Sequence, residues 1–108
     1  MLTPKEIDDC VRLIVAHIQP QEVIIFGSYA KGTATIKSDL DVFVIKATML
    51  PMANRASALA AFLSQSLIRI DVHIYTPEEV EAYSMEPFSF VSCILRSGKT
   101  VFRTVEPG

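Results

Sequence analysis

Between Ile7 and Ile18 the apolar residues Ile7, Cys10, Val11, Ile14, Val15 and Ile18 recur at spacings of three and four. That period lays one apolar stripe along a helix. Thr3, Pro4 and Glu6 precede it in the order of a capping box with proline at the first helical position, and Pro20 ends it. The period then changes. Val23-Ile24-Ile25-Phe26 is a continuous apolar run between Pro20 and Gly27, which predicts a strand buried on both faces. Gly27-Ser28 forms a turn, and Tyr29-Ala30-Lys31 is expected to make a short helix closed by Gly32. Thr33 to Lys37 is a polar loop. From Asp39 to Ile45 the chain alternates: Leu40, Val42 and Val44 share one face of a second strand, and Asp39, Asp41, Phe43 and Ile45 share the other. Ile68 to Tyr75 alternates strictly and predicts a third strand, with Arg69, Asp71, His73 and Tyr75 on its more polar face. Helical spacing fills the gap from Met49 to Leu67, read as a crossover helix. Thr76-Pro77-Glu78-Glu79 caps a helix to about Tyr83. Phe88 to Arg96 is apolar at helical spacing, Ser97-Gly98-Lys99 turns the chain, and Thr100 to Arg103 is a last short strand.

These elements describe an α/β (α+β) chain. Its 108 residues contain no linker, repeat or low-complexity stretch, so residues 1–108 are expected to form a single domain of common size. Half the residues are apolar and 20% are charged, a globular composition. The net charge of -2 provides no basic field to hold long nucleic acid. Cys10 and Cys93 both sit in apolar helical patterns and read as buried free thiols. Met1 to Asp9 is polar and acidic, so no signal region is expected. No apolar run approaches the ~18–20 residues of a membrane span. A cytoplasmic location without membrane contact is the expectation.

Chemistry concentrates around the first two strands. Asp39 and Asp41 point to the same side, ~6–7 Å apart along the strand. Carboxylates that close repel one another unless a cation lies between them. Their hard oxygens suit Mg²⁺, which takes a few carboxylates together with water and substrate phosphate. If the third strand lies beside the second, Asp71 faces the same point. Three such acids can serve one or two divalent ions in an in-line displacement at phosphorus. Gly27 lets a backbone approach a phosphate closely. The amides of Ser28 and Tyr29 open a short helix, and the Ser28 hydroxyl can donate to a phosphate oxygen. Lys31 reads equally as a further phosphate ligand or as a solvated loop lysine.

The pattern Gly27-Ser28, ten residues, Asp39, one residue, Asp41, with Asp71 on a later strand, resembles the nucleotidyltransferase superfamily that includes DNA polymerase β and kanamycin nucleotidyltransferase. It is most similar to the minimal nucleotidyltransferase (MNT) group of small prokaryotic proteins. The resemblance covers most of the chain, from Val23 to the turn Ser97-Gly98-Lys99. It implies a small mixed β-sheet with helices mainly on one face. It implies Mg²⁺ and a nucleoside triphosphate, with transfer of a nucleoside monophosphate to an acceptor hydroxyl and release of pyrophosphate. Carried onto this chain, Asp39, Asp41 and Asp71 are the catalytic and metal-holding residues, with Asp71 helping to deprotonate the acceptor. Gly27 and Ser28 hold the triphosphate, and Lys31, outside the carried-over motif, is a candidate nucleotide-binding residue beside them. Members of the group paired with a HEPN-domain toxin act as antitoxins and can adenylylate that partner, which implies ATP as substrate and a protein hydroxyl as acceptor.

Other readings stay open. The chain could instead be a non-catalytic antitoxin or nucleotide-binding module that acts by occupying a partner, or a nucleotide sensor. A domain of this length is expected to rely on a partner subunit, or on a second copy, to finish the site. Met85 to Phe90 and Met49 to Met52 are candidate contact areas. His17 and His73 read as surface histidines. Tyr29 either packs or lines the site rim. Arg69 reads as neutralising Asp71 or an exposed strand edge, and Phe88 and Phe90 as core or interface.

Overall fold

In a computed structural model the described residues are 1–66 and 69–104; the expectations that reach Leu67 and Ile68 lie outside them. Helix α1 runs Pro4–Ile18. The Thr3 side chain accepts from the Glu6 amide and Glu6 accepts from the Thr3 amide, so the sequence-predicted capping box is present. Gln19 closes the helix in the left-handed conformation. Strand β1 is Glu22–Phe26, helix α2 Ser28–Lys31 and strand β2 Leu40–Ile45. Two 3₁₀ turns follow, Met52–Asn54 and Ser57–Leu59. They lead into α3, Ala60–Gln65. Strand β3 is Ile70–Tyr75, α4 Pro77–Ser84, α5 Phe90–Ser97 and β4 Lys99–Arg103.

The strands form one mixed sheet in the order β3-β2-β1-β4. β1 is antiparallel to β2 and to β4, and β2 is parallel to β3. Alternation then fixes the two faces. Val23, Ile25, Leu40, Val42, Val44, Ile70 and Ile74 pack with Val11 and Ile14 of α1 and with Leu59. Ile24 and Phe43 pack on the other face with Val91 and Ile94 of α5. Where helices mainly on one face are expected, a second and smaller helical layer is present, because Ile24 and Phe43 give the second face an apolar centre to cover.

Two local expectations are corrected. Of the crossover helix expected from Met49 to Leu67, the described residues 49–66 do not form one helix; the segment breaks into the two turns and short α3. Pro51, Ala56 and Leu59 offer no side-chain cap at the starts of these pieces. Arg55 is instead drawn into tertiary contacts, donating to Leu50 O, Ile74 O and both oxygens of Glu79. Cys93 is exposed rather than buried, while Cys10 is half-buried. In α5 the inward position beside Val91 belongs to Ser92. Its hydroxyl lies 2.7 Å from Glu86 O and 3.2 Å from Tyr83 O, so the α4–α5 loop satisfies this buried polar group.

Candidate active site

Register brings the carboxylates together. Asp41 of β2 lies beside Asp71 of β3 on one flank and beside Phe26 of β1 on the other. Leu40 pairs with Ile70, and its amide donates to Arg69 O at 3.0 Å, which sets Asp39 beside Arg69. Asp39, Asp41, Arg69 and Asp71 therefore occupy the corners of a square on one sheet face: three acids and one base. The alternation of β2 and β3 accounts for this, since positions two apart on neighbouring parallel strands share a face.

Arg69 spans two of the acids. Its Nε is 3.2 Å from Asp71 Oδ1 and 3.9 Å from Asp39 Oδ2. Among the described residues Asp41 has no ion-pair partner, and its carboxyl is raised above its ordinary pKa. Burial is the main cause, and the like charges of Asp71 and Asp39 add to it, opposed by His73. The like charges of Asp71 and Asp39 are the part of this shift that a cation between the acids would relieve. Among the described residues no three His, Cys, Asp or Glu side chains converge as a ready-made metal cage. The donor set still fits Mg²⁺, which needs few protein oxygens when a triphosphate supplies the rest.

Gly27 adjoins this square. It has φ +75° and ψ -152°, a region that essentially only glycine enters. A Cβ at this position would overlap Asp41 Oδ2. The glycine thus allows a close approach to a carboxylate, beyond the approach to phosphate expected from the sequence. The Gly27 carbonyl accepts from the Ala30 and Lys31 amides, both at 3.1 Å, which turns the chain into α2. The first amides of that helix, those of Ser28 and Tyr29, have no intrahelical acceptor. Lys31 is exposed at its C-terminal end, and among the described residues no ion pair fixes its ammonium. The structure thus groups Gly27, Ser28, Asp39, Asp41 and Asp71, and leaves Lys31 at the margin. Tyr29 packs: its hydroxyl accepts from the Leu2 amide at 2.9 Å.

Sequence reasoning underweighted two features. The alignment of Arg69 with Asp39 depends on the β2/β3 register, which the sequence signals only through matched alternation. Below the acids, the Phe90 ring lies 5.6 Å from Phe26, 6.4 Å from Phe43 and 5.3 Å from His73, centre to centre. It forms a ring floor on the same face, although Phe90 remains 43% exposed. The surfaces expected to meet a partner are open: Met49 is 100%, Met85 81% and Phe88 99% exposed. A cavity of about 260 Å³ lined by Ile7, Val11, Ile25, Tyr29 and Val101, with Asp8 and Lys99, includes none of Asp39, Asp41 and Asp71. No helix among the described residues is long and apolar enough to cross a membrane.

Comparison with known proteins bears on this geometry. The family model for the nucleotidyltransferase domain matches residues 7–97. Among solved structures, the chain is similar to a toxin–antitoxin complex with AMP-PNP: 25% identity, 90% of this chain, 73% of that chain, TM-score 0.60. It also matches a mutant of the toxin–antitoxin pair MntA-HpeT at 23% identity, over 90% of this chain and 73% of that one, TM-score 0.59. At that identity the likeness speaks for the fold. Compared with curated proteins, the sequence matches none.

Proposed function

The chain belongs to the nucleotidyltransferase-domain family, and we propose that it transfers AMP from ATP to a hydroxyl of a partner protein, as the antitoxin of a pair with a HEPN-type toxin. The observation that carries this reading is the placement of Asp41 beside Asp71, with the Gly27 backbone against the Asp41 carboxylate. That approach supports a site in which phosphate donors and cation-seeking acids would meet at one point. The toxin–antitoxin likeness and the AMP-PNP in one of those structures support the partner and the nucleotide.

In this reading Asp39, Asp41 and Asp71 would hold Mg²⁺. The ion would supply positive charge to the phosphoryl oxygens as the transition state develops. The Ser28 amide and hydroxyl hold the leaving phosphates, and Gly27 keeps the path to Asp41 free of a side chain. Asp71 takes the proton of the acceptor hydroxyl. The acceptor oxygen bonds to the α-phosphorus, the bond to the β-phosphate oxygen breaks, and pyrophosphate leaves. The exposed apolar residues Met85 and Phe88 suit contact with the partner that presents the hydroxyl.

The test is label transfer from α-³²P-ATP with Mg²⁺ to the protein encoded beside this chain. Wild type is expected to label it, and Asp39→Asn and Asp41→Asn to lose at least 100-fold in rate, on the order of what removing one charge-stabilising group costs. Absence of label from every partner, with the two variants indistinguishable from wild type, overturns the reading. The exposure of Met49, Met85 and Phe88 favours a second reading, action by occupancy. It is supported instead if both variants still neutralise the partner.

A further inference from the structure

Arg69 belongs to no part of the mechanism above, yet it occupies the fourth corner of the acid square. Its guanidinium is 3.2 Å from Asp71 and 3.9 Å from Asp39, and its backbone carbonyl is fixed to β2 by the Leu40 amide. The side chain is 75% exposed, so packing leaves it free to swing. A divalent ion held by Asp39, Asp41 and Asp71 would lie within about one strand spacing, ~5 Å, of that corner. Arg69 and such an ion would repel each other while seeking the same two carboxylates.

We propose that Arg69 is a resident counter-cation that makes divalent-ion binding depend on the triphosphate. This inference rests on the proposed metal site. Without nucleotide, Arg69 neutralises Asp71 and Asp39 and weakens the hold of the acids on a free ion. A triphosphate arriving at Gly27-Ser28 brings anionic oxygens to which the guanidinium can turn, since arginine pairs with phosphate through its planar fork. That releases both carboxylates as the ion arrives. The ion and the triphosphate then bind cooperatively, and each raises the affinity for the other by the same factor. Arg69 acts through the carboxylates and is a positioning residue.

The experiment is calorimetric titration of Mn²⁺ into wild type, Arg69→Met and Arg69→Lys at low salt, with and without inorganic tripolyphosphate. Methionine keeps the apolar stem and removes the charge. Without tripolyphosphate, Arg69→Met is expected to bind Mn²⁺ about tenfold more tightly than wild type, the scale of removing one charge at this separation in a solvated site. Arg69→Lys should stay near wild type. With tripolyphosphate the gap should narrow to about threefold or less. A side chain that merely braces the strands would lower Mn²⁺ affinity when removed, so the sign separates the two roles. Equal or weaker binding by Arg69→Met overturns the inference, and if Mn²⁺ still binds with tripolyphosphate the proposed function stands. Absence of Mn²⁺ binding in all three proteins, even with tripolyphosphate, overturns both.

Discussion

Alanine at position 27 meets two obstacles at once. The backbone at φ +75° and ψ -152° lies where a side chain costs about 1–3 kcal/mol. The new methyl would also overlap Asp41 Oδ2, so the Asp41 carboxylate must shift away from the turn. Gly32 provides an internal control. It has nearly the same φ, +74°, but ψ 17°, and no atom lies within 4 Å of the Cβ position. Alanine there enters the left-handed helical region in open space, at about 1 kcal/mol. The expected losses are therefore about 2–3 kcal/mol for Gly27→Ala and about 1 kcal/mol for Gly32→Ala. In a domain of this size about 1 kcal/mol shifts Tm by 4–8 °C. Gly27→Ala should then melt ~10 °C or more below wild type, and Gly32→Ala ~5 °C below. The chain has no tryptophan, so urea and thermal unfolding are best followed by far-ultraviolet circular dichroism. Mn²⁺ affinity in the presence of tripolyphosphate supplies a second readout, which Gly27→Ala should weaken and Gly32→Ala should not. Equal stability losses for the two variants would refute the close approach of the turn to Asp41.

Three further outcomes follow from the same geometry. A carboxyl whose pKa is raised on folding, as burial, Asp71 and Asp39 raise that of Asp41, costs stability as pH climbs from its unfolded pKa near 4 through the folded one. Asp41→Asn should therefore raise the urea midpoint of the metal-free protein at pH 7 and leave it little changed at pH 3; a lower midpoint at pH 7 would contradict this. Glu79 is the opposite case. Hydrogen bonds from Arg55, then Thr76, hold its pKa low, so its contribution is complete above about pH 4 and fades as pH falls through the folded value. With Arg55 10% and Glu79 31% exposed, Glu79→Gln should cost about 1–2 kcal/mol at pH 7 by urea unfolding, and the cost should shrink toward pH 3. Ser92→Ala should cost about 1–2 kcal/mol, because the carbonyls of Glu86 and Tyr83 lose the hydroxyl donor that the buried Ser92 supplies; an unchanged midpoint would show that water replaces the hydroxyl.

The parts of the fold that local chemistry dictates could be read from the sequence. Both capping boxes, Thr3 with Glu6 and Thr76 with Glu79, form as their spacing requires. The alternation of residues 40–45 and 70–75 determined which side chains share a face, and with it the side on which Asp41 and Asp71 stand. What escaped the sequence depends on partners distant in the chain. Residues 49–67 carry helical spacing, yet Arg55 bonds to Ile74 and Glu79 across the fold, and no cap sustains a long helix. Ser92 takes the buried position in α5 because loop carbonyls satisfy its hydroxyl, which turns Cys93 outward. Arg69 looked like a neutralising charge; only the pairing of Leu40 with Ile70 shows that it shares a square with all three acids.

The central claim is that Asp39, Asp41 and Asp71 hold divalent ions opposite a triphosphate seated on Gly27-Ser28. The most direct test is a crystal grown with Mn²⁺ and a non-hydrolysable ATP analogue, with anomalous diffraction used to locate the ion. The expected result is an anomalous peak bounded by Asp41 and at least one of Asp39 and Asp71, with triphosphate oxygens accepting from the Ser28 amide and hydroxyl. A nucleotide bound away from Gly27-Ser28, or Mn²⁺ bound without any of the three carboxylates, would contradict it.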